Sequence, residues 1–222
     1  MKHVFLFVLG CMMCGSAKAQ HQQVFDEYLR EAGDQAEMFV GKVETGYPST
    51  IYVNHPFWAS DDFVSGDVWY KEKLYRNVEL RYDAYLKQLV VRTPVKRLNV
   101  IVQMDQVGYF TIGDAEYSRR NDEFMCILYS SSRLELVERM NVTRFMDDDK
   151  VQYEFRRTVK YYVLRDGQMH EVNKMKSVVK LYPELKKDLT DFAKTQGLDF
   201  KKNPKSSLVN LVEYADRLLA QP

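Results

Sequence analysis

Two hydrophobic periods divide the chain. Between about residue 38 and residue 172 apolar side chains recur at every second position in short runs broken by turn residues; beyond residue 173 they recur at the spacing of helices. Val78, Leu80 and Tyr82 alternate with Glu79 and Arg81, and Val159, Tyr161 and Val163 alternate with Thr158, Lys160 and Tyr162. Such strands present one dry face and one wet face. The runs predict strands near Phe39–Glu44, Phe63–Tyr70, Tyr75–Tyr82, Gln88–Arg92, Asn99–Gln103, Gly108–Ile112, Glu123–Tyr129, Arg133–Val142, Val151–Arg165 and Met169–Val172. Asp166-Gly167 is the strongest hairpin signal among them, because a tight turn needs positive φ and glycine supplies it freely. The pattern predicts a mainly antiparallel sheet, a meander or barrel-like.

Helices flank these strands. Val24, Phe25, Tyr28, Leu29 and Ala32, with Gly33 behind, predict a short amphipathic helix over residues 21–32. Asn173 is the expected cap of a helix reaching Leu181. Pro183 opens another, carrying Leu185, Leu189, Phe192 and Ala193 and ending near Gly197. A third follows Asn203-Pro204, with Leu208, Leu211, Val212, Ala215, Leu218 and Leu219 on one side. No linker-like stretch and no fixed-period repeat interrupts the order, so residues 20–222 are read as one α+β domain, β-rich over 38–172 and helical over 173–220.

Residues 1–19 have a different character. Lys2 and His3 precede an apolar stretch from Val4 to Cys14, and Ala17 and Ala19 follow, the form of a secretory signal peptide cleaved before Gln20. Val8-Leu9-Gly10-Cys11 also resembles a bacterial lipobox, whose use would leave a lipid anchor on Cys11; the apolar run before it is short, so cleavage after Ala19 is the expectation. The mature chain carries no run long enough to span a membrane, about 20 apolar residues being needed. Its expected place is the periplasm or the exterior, outer-membrane association being an option. Cleavage removes Lys2 and Lys18 and turns a net charge of +1 slightly negative, which argues against capture of nucleic acid. It also leaves Cys126 alone in an apolar strand, so no internal disulfide is expected and the core must hold itself together.

With 45% hydrophobic and 28% charged residues the chain belongs with globular proteins rather than disordered ones. Motifs that carry chemistry are missing. No HExxH, CxxC, glycine-rich phosphate loop or Gly-x-Ser-x-Gly elbow occurs, and Asp147-Asp148-Asp149 lacks the glycine and terminal glutamate of a calcium loop. No catalytic residue, metal ligand or cofactor is therefore assigned. Lys186, Lys187, Lys201, Lys202 and Lys205 are interleaved with acids and read as a solvated helix surface. The densest constellation is His55-Pro56-Phe57-Trp58-Ala59-Ser60-Asp61-Asp62. His55 with Asp61 or Asp62 has the donors for a proton shuttle, and Phe57 and Trp58 have the faces to stack on a ligand. The structural alternative makes the aromatics a plug at one end of the sheet and leaves the acids in water. His55, Phe57, Trp58, Asp61 and Asp62 are the candidate ligand-binding residues.

The same segment, followed by Gly66-Asp67-Val68-Trp69-Tyr70, by Tyr75-Arg76-Asn77-Val78-Glu79-Leu80-Arg81-Tyr82-Asp83 and by Gln88-Leu89-Val90-Val91, resembles a group of uncharacterised exported proteins of Bacteroidota. Lys176-Ser177-Val178-Val179-Lys180-Leu181-Tyr182-Pro183 and Leu198-Asp199-Phe200 extend that resemblance to the closing helices. It implies an exported bacterial protein and carries over no activity. Lys71-Glu72-Lys73 stands where that group has a glycine in the first hairpin. The expectation that follows is a non-enzymatic binding or assembly module of the bacterial envelope, its partner an envelope protein. A carrier of an apolar ligand held between sheet and helices is the alternative, and a hydrolase whose site is assembled from distant residues is the second.

Overall fold

A computed structural model describes residues 20–58, 60–147 and 152–220. Residues 1–19, with the expected signal peptide and the lipobox-like Cys11, lie outside the described residues, as do Ala59 and most of the acidic triplet at 147–149. Helix α1 (20–32) is followed by single 3-10 turns at Gly33–Gln35 and Glu37–Phe39. Eleven strands then form one antiparallel sheet: β1 (Lys42–Val43), β2 (Val64–Tyr70), β3 (Lys73–Asp83), β4 (Gln88–Arg92), β5 (Asn99–Ile101), β6 (Val107–Ile112), β7 (Ala115–Arg120), β8 (Glu123–Ser130), β9 (Leu134–Asp147), β10 (Gln152–Arg165) and β11 (Gln168–Glu171). Helices α2 (Met175–Leu181), α3 (Lys186–Thr195) and α4 (Pro204–Leu219) close the chain.

The strand order is β1-β5-β4-β3-β2-β6-β7-β8-β9-β10-β11, so two meanders run outward from the β2–β6 pair. The sheet is open rather than a closed barrel: β1 and β11 are its edges. Four hairpins turn through left-handed residue pairs or a left-handed glycine. Asp166 and Gly167 have φ of 51° and 74°, as the sequence predicts, while Lys71-Glu72 (46° and 63°) and Asn121-Asp122 (47° and 63°) make the same turn with no glycine. Lys71 is held there by an ion pair to Glu37 and by its N–H on the Gln106 carbonyl, 3.0 Å. Asn173 does not cap α2. Its side-chain oxygen lies 3.5 Å from the Tyr161 N–H and its amide donates to Glu171, while Ser177 closes the first turn onto Lys174.

Two cores share one face of the sheet. Phe25, Trp58, Tyr75, Tyr82, Phe110, Tyr117, Phe124 and Phe155 dominate the first, beneath α1. In the second, Leu208, Leu211 and Val212 of α4 and Leu189 of α3 pack on Leu134, Leu136 and Val163. Strand β9 serves both. Leu134 and Leu136 belong to the helical core and Met140 and Val142 to the aromatic one, all at even spacing and therefore on one face. Between them Glu138 is buried and paired with Lys205 of α4 at 3.3 Å. The C-terminal helix is also clasped by charge: Asp216, 3% exposed, accepts Arg133 Nε at 2.7 Å and the Tyr129 hydroxyl at 2.8 Å.

Candidate functional site

The constellation around His55 is pulled apart by the fold. Residues 56–58 run beside the end of β3, the Trp58 N–H donating to the Tyr82 carbonyl at 2.9 Å and the Ala84 N–H to the Pro56 carbonyl at 3.2 Å. Alternation then sends neighbouring side chains to opposite faces. Trp58 enters the aromatic core, edge-on to Tyr117 at 5.1 Å, and is a buried plug. Phe57, 2% exposed, goes to the other face. Asp61 and Asp62 are exposed; the Asp62 carboxylate accepts Ser60 Oγ at 2.8 Å, and Asp61 offers its main-chain carbonyl to Arg81.

Among the described residues no carboxylate therefore hydrogen-bonds His55, although Asp61 and Asp62 lie close enough for their charges to act on it. The Arg157 guanidinium lies beside the ring, 3.1 Å from Nδ1 and 3.5 Å from Nε2, and donates to the His55 main-chain carbonyl. Burial, and then the Arg157 charge, hold the imidazole below its ordinary pKa. A cation beside the ring disfavours a second positive charge on it. Among the described residues no three His, Cys, Asp or Glu side chains converge to hold a metal ion. Cys126 is buried, its thiol pushed up to about 11 by desolvation, the signature of an inert core thiol.

What the face beyond Phe57 holds instead is a stacked ladder. His55 stacks on Phe57 (5.9 Å), Phe57 on the Arg81 guanidinium (3.8 Å), Arg81 on Phe63 (4.5 Å) and Phe63 on Arg92 (3.9 Å). Cations between aromatic faces attract through the ring quadrupole, more strongly where water is excluded. Glu44 fixes Arg81 by a 2.6 Å ion pair in which both side chains are largely buried. The sandwich leaves Arg81 Nε buried without a partner. The sequence pattern assigns Arg81 to the wet face of β3; the segment over residues 44–63 covers that face, so the expectation is corrected there.

The ladder ends at a groove. Strand β4 pairs only with Leu80–Asp83 of β3, so the first half of β3 has no strand on that side. Helix α1 and the turn after β4 stand around this gap and enclose about 660 Å³. The floor is apolar: Leu29, Phe39, Tyr75 and Val78. Arg30, Arg76, Arg92 and Arg97 line it, with Asp26 and Glu79 as the acids. Two features shape it. Asp34 accepts the N–H groups of Val95 and Lys96, both at 2.9 Å, tying the end-wall turn to the end of α1. Opposite, Gly66 lies so close to β6 that an added Cβ would sit 1.9 Å from the Thr111 carbonyl oxygen, and the neighbouring Asp67 side chain accepts the N–H of Asn77 at 3.0 Å. The register shifts there, Asn77 adopts φ of 53°, and this bulge turns Arg76 and Asn77 into the groove.

Sequence reasoning missed this groove because its parts come from α1, β3, β4 and one turn. The available signal was the break in alternation at Arg76-Asn77 between Tyr75 and Val78, which marks a bulge. No family model matches the chain, and no curated protein or solved structure matches it.

Proposed function

We propose that this chain is a non-enzymatic binding module of the bacterial envelope, and that it binds through the groove on the uncovered half of β3. The observation that carries the reading is the groove itself, a preformed concavity of about 660 Å³ with an apolar floor and more guanidinium than carboxylate around it. The space the carrier alternative needs between sheet and C-terminal helices is filled, since Leu208, Leu211, Val212 and Val163 are fully buried against one another. Against the hydrolase alternative, His55 hydrogen-bonds no carboxylate among the described residues and its ring faces a cation.

Site-specific photo-crosslinking tests the reading. A crosslinker at Val95, 72% exposed on the groove wall, placed in the full chain expressed in an exporting bacterium, is expected to yield a discrete adduct, protein or small molecule, that disappears in Arg30→Glu. An adduct unchanged by Arg30→Glu, or hydrolysis of ester, phosphate or glycoside substrates abolished by His55→Ala, would overturn it.

A further inference from the structure

The groove's charge and its floor together define a ligand chemistry. Glu79 is the one carboxylate shared by Arg92, at 3.6 Å, and Arg97, in closer contact. Asp26 reaches Arg76 only at 3.8 Å and is also engaged by the Gln22 amide at 2.7 Å. Arg30 has no ion-pair partner among the described residues. Four guanidinium groups thus face two carboxylates, on the open side of a floor made by Leu29, Tyr75 and Val78.

We infer that the groove takes an amphiphile with one anionic head, a carboxylate or a phosphate held by Arg30 and Arg97, and an alkyl arm laid over Leu29, Tyr75 and Val78. This deepens the binding-module reading and rests on it. An inorganic anion would leave the apolar floor in water, and a neutral lipid would cover guanidinium groups without answering their charge, so each satisfies half of the site. The planar fork of arginine suits both head groups. A volume of about 660 Å³ falls in the range of small-molecule sites, and openness along the β3 edge lets an alkyl arm of variable length leave the groove. Nucleic acid is a poorer fit, since the chain as a whole is nearly neutral.

Isothermal titration of the mature chain with octyl phosphate, octanoate, inorganic phosphate and octyl glucoside, each below its micellar concentration, tests the inference. Octyl phosphate or octanoate should bind at least tenfold more tightly than inorganic phosphate and than octyl glucoside, and which of the two binds better names the head group. Arg30→Glu should weaken binding tenfold or more and Arg97→Gln severalfold, with unchanged thermal melts; Arg30→Gln, which only removes charge, should fall between. Equal affinity for inorganic phosphate, equal affinity for octyl glucoside, or wild-type binding by Arg30→Glu would each overturn the proposal. If no amphiphile binds but Arg30→Glu still removes the Val95 adduct, the ligand class fails and the binding module stands. If the adduct also persists, both fail.

Discussion

The aromatic core under α1 and the aliphatic core under α2–α4 cover the same face of one sheet by opposite means. The first is roofed by one helix and short turns, and fills its space with rings: Phe110 stacks on Tyr117 at 4.9 Å, Phe25 meets Tyr75 edge-on at 5.2 Å, and Trp58 plugs the end. The second is roofed by three helices: α4 brings Leu208, Leu211, Val212 and Ala215, α3 brings Leu189 and Ala193, and α2 brings Val178. A regular helix delivers apolar contact at fixed spacing, so aliphatic residues do most of the filling, with Tyr161 and Tyr182 as the buried rings. Irregular cover does not, and large rings bridge the uneven gap. The lesson concerns function too, because the irregular roof is the one that leaves a groove.

The strongest way to break this comparison is to remove one roof. Truncation after Val172 strips the cover from Leu134, Leu136 and Val163, each of which gains about 1.5–3 kcal/mol from full burial. The product is expected to be insoluble or to lose its cooperative melt. A truncated chain melting like the full protein would show that the aromatic region stands alone.

Single cavities probe each side separately. Trp58→Ala should lower stability by about 3–5 kcal/mol and Leu211→Ala by about 2–5 kcal/mol, both read by denaturant unfolding. If β9 joins the cores into one cooperative unit, each variant shifts a single transition; two transitions in either would divide them.

The clasp on α4 sharpens the comparison by pH. Burial works to raise the Asp216 carboxyl, but hydrogen bonds from Arg133 and Tyr129 outweigh it and hold the pKa below the ordinary value. Its contribution is therefore complete above the ordinary aspartate range and is lost as pH falls through the lower folded value. Asp216→Asn should reduce stability by about 1–3 kcal/mol near neutral pH and should flatten part of the acid-side decline in melting temperature. An unchanged acid profile would remove Asp216 from the clasp.

The smallest effect belongs to His55. Its imidazole is held below the ordinary value by burial and by Arg157, so the folded state favours the neutral ring. Stability should fall slightly as pH drops from about 6.5, and His55→Gln should remove that slope in thermal melts while leaving the neutral-pH melt nearly unchanged.

How much of this was legible in the sequence depended on how regular each roof is. The three C-terminal helices and most strands follow from their periods, because each buries one stripe or one face. Strand β7 escaped, since Tyr117 is its one buried side chain among Glu116, Ser118, Arg119 and Arg120. The stretch expected as a strand over Phe39–Glu44 is a turn followed by the two-residue β1, because Met38 is the buried plug while Val40 and Val43 face solvent. At the site, the His55 segment drew attention for its density of functional groups, yet alternation alone separates Phe57 from Trp58. The ladder and the groove were not legible, because Arg81 and Arg92 read as solvated charges until a distant segment lies across them.

The β9–β10 hairpin holds fourteen consecutive pairs in one unshifted register. A slip by one residue would turn Leu134, Leu136, Met140 and Val142 outward together, so an error made at either end of the hairpin is penalised by both cores. The hairpin thus acts as a shared ruler: whichever roof docks first during folding fixes the alignment that the other requires, and neither order of assembly can leave the two halves out of step.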